Sequence, residues 1–246
     1  MEFSIKSRSP EKQRSGCVVV GVFESRKLTP PAAALDKAAN GYIADLLGRG
    51  DMDGKANSTL LLQKVPGTLS DRVLLVGLGK EKEFREKELG NAIRTSLKAL
   101  NDTGATDAAI YLAELPVNKR NLAWRVRQSA MVAQDASYKF DQFKSKKNDA
   151  RKLLKKVTFC IDRRSEVPQA EEALAQGLAI AEGMALAKDL GNLPPNICHP
   201  TYVAEQAQAM ASEFKLDCEI LERADMEKLG MHSLLSVAQG SHQPPK

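Results

Sequence analysis

Two residue periods alternate along the first 160 positions, and this alternation constrains the fold more than any other feature. Short apolar runs rich in β-branched residues recur, and most are followed by a segment whose apolar positions repeat every three or four residues. Cys17 to Phe23 (CVVVGVF) is apolar throughout, as expected of a strand buried on both faces. Phe3–Lys6, Ser58–Val65, Arg72–Leu78, Ala108–Leu112 and Lys156–Asp162 are further predicted strands. Helices are predicted from Pro30 to Leu47, Glu83 to Leu100 and Asn118 to Ala136. Pro30-Pro31 suits a first helical turn, where a missing N–H costs nothing. Tyr138 to Lys155 is polar and reads as a loop. Strand–helix–strand order calls for an α/β layered structure with a parallel or mixed sheet. The short link containing Pro66-Gly67 and Ser70-Asp71 predicts one antiparallel pair, between the strands at 58–65 and 72–78.

After position 165 the pattern changes. Pro168 to Leu190 is one long helical repeat, with Leu174, Leu178, Ala181 and Ala185 on a stripe. Gly191-Asn192 and Pro194-Pro195 stop it. At ~1.5 Å per residue such a helix spans roughly 33 Å, long enough to bridge two domains. Beyond it come a predicted helix from Pro200 to Phe214, a predicted strand Leu216–Leu221 and a short helix near Ala224–Lys228. One strand and a few helices cannot close a core, and about 54 residues is small for an unstapled domain. The expected organisation is therefore a 1–165 α/β domain, a 166–192 linker helix, and a 193–246 α/β beginning that lacks partner strands.

Charge and cysteine usage narrow the class. The net charge is +5. Lys119 to Arg164 holds fourteen Lys/Arg against four Asp/Glu, a local excess of +10, which leaves −5 on the other 200 residues. Cys17, Cys160, Cys198 and Cys218 have neither C-x-x-C spacing nor the density of a disulfide framework, so free thiols in a reducing compartment are expected. No apolar run approaches the ~20 residues a membrane span needs, and the N-terminus lacks a secretion-signal pattern. The expectation is a cytoplasmic protein with no membrane partner.

Several motifs invite functional readings, each with a plainer one beside it. His199, His232 and His242 are the only histidines, but their spacings match no helical ligand pair. Gly77-Leu-Gly79-Lys80 follows a strand without completing a dinucleotide or P-loop fingerprint, and an ordinary turn accounts for it. Glu171-Glu172 lie in a first helical turn, where the helix dipole favours acids. Ser241-His242 has no evident third member and no nucleophile elbow. The basic stretch carries Lys144, Lys146, Lys147, Arg151 and Lys152 with Tyr138, Phe140 and Phe143 interleaved. Such a segment can neutralise phosphates, so these five residues are candidate nucleic-acid contacts, against the alternative of a solvated charged loop.

The segment DLGNLPPNICHPT at 189–201 resembles the opening of the catalytic domain in leucyl (cytosol) aminopeptidases. DMEKLGM at 225–231 and VAQGSHQPPK at 237–246 resemble that family's next two landmarks, in order, and DRVLLVGLG at 71–79 resembles part of its N-terminal domain. The resemblance covers the whole chain. It implies a macro-domain-like α/β/α N-terminal domain with a mixed sheet, then the incomplete start of a catalytic domain. It also implies a cytoplasmic homo-hexamer that removes N-terminal residues such as leucine from peptides, using two divalent ions, Mn or Zn. Some bacterial relatives are also DNA-binding regulators that work through the N-terminal domain, and the alternative function here is a DNA-binding or protein-interaction module using the basic 119–164 region. The family's ligand signatures, G-K-G-I-T-F-D and N-T-D-A-E-G-R, do not occur. A two-metal hydrolase needs such closely spaced hard ligands. The expectation is that this chain supplies no catalytic residue and no metal ligand, binds neither ion and is inactive alone.

Overall fold

The computed structural model describes residues 1–145 and 154–246. The chain forms two compact units, Met1–Met184 and Ala185–Lys246.

Unit one is built on a mixed sheet. Its strands are β1 (Glu2–Ser7), β2 (Val18–Phe23), β3 (Lys27–Leu28), β4 (Thr59–Gln63), β5 (Arg72–Gly77), β6 (Asp107–Ile110) and β7 (Lys156–Ile161). They run in the order β1-β7-β6-β2-β5-β4. Every neighbouring pair from β1 to β5 is parallel, and β4 lies antiparallel on β5, as the short link between them predicts. β6 is short and pairs with β2 only at Val18 and Val19, while β3 pairs antiparallel with β2 at Val22 and Phe23.

The alternation of β2 and β5 sorts side chains to two faces. Val18, Val20, Val22, Val73 and Leu75 meet Leu35, Ile43 and Leu47 of α1 (Pro30–Ala38) and α2 (Tyr42–Arg49). Val19, Leu74, Val76, Ile110 and Phe159 meet Leu89, Ile93 and Leu97 of α3 (Glu86–Asn101) and Val126 and Ala130 of α4 (Leu122–Ala136). The first half of α5 (Val167–Asn192) joins this second face through Ala170, Ala173 and Leu174. The result is an α/β/α layered unit. Each fully buried Leu, Ile or Phe contributes roughly 1.5–3 kcal/mol of transfer free energy.

Two predicted elements differ from the structure. The single helix expected over 30–47 is two helices, broken where Asn40 (φ 53°) and Gly41 (φ 84°) turn left-handed. Gly41 N–H donates to the Asp36 carbonyl, and the Asp36 carboxylate accepts from Ala44 N–H at 2.8 Å. The break lets Leu35 and Ile43 both reach the sheet.

Unit two holds the end of α5 followed by α6 (Pro200–Phe214), α7 (Arg223–Lys228) and α8 (His232–Ala238). The strand expected at Leu216–Leu221 does not form, because among the described residues nothing pairs with it. A strand exists only through its ladder, and β propensity alone does not supply one. No described helix is long and apolar enough to cross a membrane.

Candidate functional site

In unit one the connections reverse direction at β2. The crossover through α1 and α2 leads to β5 on one side, and the crossover through α3 then leads back to β6 on the other. In open α/β sheets, ligands bind at such a reversal, outside the carboxyl ends of the strands. A cavity of ≈ 470 Å³ lies to one side of it, at the carboxyl ends of β1, β7 and β6 and the start of α1.

Four segments build it. Ser7 ends β1 and Arg8 and Ser9 follow it, Tyr111 and Glu114 follow β6, Asp162 follows β7, and Pro30 and Pro31 open α1. Two hydrogen bonds hold the rim: Ser7 Oγ donates to the Asp162 carbonyl at 2.8 Å, and Tyr111 Oη donates to the Arg8 carbonyl at 2.8 Å. Pro10, Leu115 and Pro116 add apolar wall. A second cavity, of ≈ 610 Å³, shares Ser7 and Arg8 and adds Lys6 and Arg164.

The electrostatics of the first cavity centre on Glu114. Burial pushes its carboxyl up to about 7; the neighbouring charge of Asp162 adds to the rise, and Arg125 opposes it. Burial lowers Arg125 from its ordinary value, against the attraction of Glu166 and Glu114. Arg125 Nε is buried without a hydrogen-bond partner among the described residues. Burial likewise pushes the Tyr111 phenol above its ordinary range, so it stays a neutral donor.

The motifs singled out in the sequence have other roles. All three N–H groups of Gly77-Leu78-Gly79 are spent on backbone carbonyls, those of Ser58, Val22 and Gly54, so none faces a phosphate. Lys80 is bonded to Glu83 at 3.1 Å. Glu172 accepts from Gln176 one turn on, and Ser241 Oγ accepts from Gln243 N–H. His199 is the N-cap residue of α6, His232 opens α8, and His242 is exposed. Among the described residues no three or more His, Cys, Asp or Glu side chains gather where they could hold a metal ion. Of the five basic candidates, Lys144 is exposed, its N–H bonded to the Asp141 carbonyl. Lys146, Lys147, Arg151 and Lys152 lie outside the described residues.

Reading by motif missed Arg8, Glu114 and Asp162. The available signal was positional: each lies within four residues of the carboxyl end of a strand.

Comparison with known proteins matches these two units to one family. Residues 19–147 match the cytosol aminopeptidase family, N-terminal domain, and residues 185–246 match its catalytic domain. A protein named "Probable cytosol aminopeptidase" from Dechloromonas aromatica (strain RCB) is 75% identical over 100% of this chain and 49% of its own length. One of the same name from Nitrosospira multiformis is 56% identical over 100% of this chain and 48% of its own. The chain thus spans about half the length of the curated relatives it matches. Among solved structures, a mutant of tomato leucine aminopeptidase superposes with a TM-score of 0.80 at 20% identity, covering 99% of this chain and 49% of that one. The bottromycin maturation enzyme BotP in complex with Mn gives 0.71 at 24%, covering 94% and 43%. Those two likenesses bear on fold alone. With its first unit matched to the N-terminal domain and its second to the catalytic domain, the chain belongs to the cytosol aminopeptidase family.

Proposed function

We propose that this chain provides the N-terminal domain (1–165), the connecting helix (166–192) and the first part of the catalytic domain (193–246) of a metal-dependent aminopeptidase. The parent reaction is hydrolytic release of N-terminal residues such as leucine from peptides. One observation carries the reading: the catalytic-domain match begins at residue 185 and runs through residue 246, in relatives about twice this length. The ions of that reaction, Mn or Zn, are held by ligands these 246 residues do not contribute. BotP in complex with Mn, a protein of related fold, supports metal dependence. Assembly as a cytoplasmic hexamer belongs to the same proposal. The residues described here serve as scaffold.

The test has two arms. The 246-residue chain, given Mn²⁺ or Zn²⁺, is expected to release no p-nitroaniline from leucine p-nitroanilide. A fusion of this chain to the remaining half of the D. aromatica relative is expected to release it. Activity in the first arm overturns the scaffold role. A folded but inactive fusion overturns the parent activity.

A further inference from the structure

The two cavities at the carboxyl edge of the sheet form a groove with charge of opposite sign at its two ends. One lobe carries Glu114 and Asp162, and the other carries Lys6 and Arg164, with Arg8 lining both. Among the described residues none of these five makes a salt bridge within 4 Å or a side-chain hydrogen bond. Lys6, Arg8, Asp162 and Arg164 are exposed, and other exposed charges in this unit pair, as Arg26 does with Asp53 and Lys156 with Glu2. Here the two signs share a groove and stay apart. The rim hydrogen bonds from Ser7 and Tyr111 hold the segments bearing Asp162 and Arg8 in place.

Glu114 sets what the acidic lobe accepts. Half-buried beside Asp162, whose charge outweighs the opposing one of Arg125, it gains from a ligand that brings positive charge and hydrogen-bond donors. The basic lobe, with Arg8 among its three cations, suits a carboxylate. The prolines and Leu115 of the first cavity offer apolar wall to a side chain.

We propose that this groove binds a small zwitterion, an α-amino acid or short peptide, with its ammonium group on Glu114 and Asp162 and its carboxylate on Arg8. The site belongs to unit one and does not depend on the hydrolytic reading above.

Calorimetric titration of the 246-residue chain tests it, with L-leucine, L-leucyl-L-leucine, N-acetyl-L-leucine and L-leucinamide as probes. Saturable heat is expected from at least one of the first two, and the tighter one identifies amino acid or peptide as the ligand. Each of the two blocked probes lacks one charge and should bind at least about tenfold more weakly, the usual scale for losing a charged hydrogen bond. Glu114→Gln and Arg8→Gln should each weaken binding by a similar factor. Their unchanged far-ultraviolet circular dichroism shows that the fold persists. Equal binding of free and blocked probes overturns the proposal. So does the absence of saturation by about 10 mM, weaker than millimolar affinities at the low end of specific recognition. So does unchanged affinity in both variants. None of these outcomes touches the aminopeptidase reading, which rests on the fusion experiment.

Discussion

The Tyr111 hydroxyl donates a 2.8 Å hydrogen bond to the carbonyl of Arg8, joining two segments 103 residues apart in sequence. Tyr111 follows β6 and Arg8 follows β1, with β7 between those strands in the sheet. The bond therefore ties the rim of the groove across an intervening strand. Removing it with Tyr111→Phe leaves the ring in the core it shares with Cys160 and Leu35 and strips the hydroxyl, which also neighbours the Cys160 thiol. A loss of about 0.5–1.5 kcal/mol is expected in urea unfolding, with an unchanged m value. No change in the midpoint would show that the tie contributes nothing.

Glu114 makes stability depend on pH in a direction opposite to most carboxylates. Its folded pKa is raised, to about 7, so the folded chain holds this proton more tightly than the unfolded chain. The contribution is fully present below the unfolded value near 4.5 and is lost as pH rises through 7. Glu114→Gln removes the titration. Relative to the parent, the variant should gain roughly 1–2 kcal/mol between pH 5 and 8, a figure discounted for the group's partial exposure. Chemical unfolding at half-unit pH steps measures it, and parallel curves would refute the assignment.

Much of unit one was legible because local pattern and tertiary demand agree. The run CVVVGVF has to be a central strand, since every residue of β2 is buried from both faces. Asn121 caps α4 by accepting from Trp124 N–H at 2.9 Å, a local signal that sits in the sequence. The break at Asn40-Gly41 was also written there, but the apolar spacing from Leu35 to Leu47 runs through it unchanged. The Leu216–Leu221 segment shows the opposite failure. Its residues favour a strand, yet strand formation is a property of a pair. The groove was illegible for a third reason. Arg8, Glu114 and Asp162 are brought together only by the strand order β1-β7-β6, which no local window contains.

Two glycines of α5 should respond in opposite ways to the same substitution. A Cβ on Gly177 would lie 2.4 Å from the Arg127 carbonyl oxygen and 2.9 Å from Ala130 Cβ, both on α4. A Cβ on Gly183 would meet nothing within 4 Å. Gly177→Ala must push the helices apart, at a cost of roughly 1–3 kcal/mol that exceeds the gain in helix propensity. Gly183→Ala should keep that gain, up to about 1 kcal/mol. Scanning calorimetry should show Tm falling for the first and holding or rising for the second. The same sign for both would mean that the close approach of α5 to α4 is not limiting.

The cysteines separate by burial. Cys17 and Cys160 are fully enclosed, and burial pushes both thiols up to about 12. The thiolate is the reacting species, so neither should react at pH 8 while the chain is folded. Cys218 is exposed. Ellman's reagent should label Cys218 in the native chain and reach Cys17 and Cys160 only after denaturant is added, with peptide mass mapping to assign the sites. Native labelling of Cys17 would mean that the sheet opens where β2 begins.

Unit two leaves large apolar side chains in water. Phe214, Leu216, Leu229 and Val237 are exposed, Leu229 at 65% and Val237 at 81%. Its buried apolar residues after α5 are few: Ala211, Met226, Leu235 and Pro245. Each exposed side chain that finds a neighbour recovers roughly 1.5–3 kcal/mol, so self-association is the expected outcome at working concentrations. Light scattering on the 246-residue chain should give a mass that rises with concentration. Leu229→Lys with Val237→Lys should return it toward the 26.8 kDa monomer. These positions stand clear of the buried residues, so the double variant should unfold at the parent's temperature. A parent chain already monomeric across that range would show that this surface is tolerated in water.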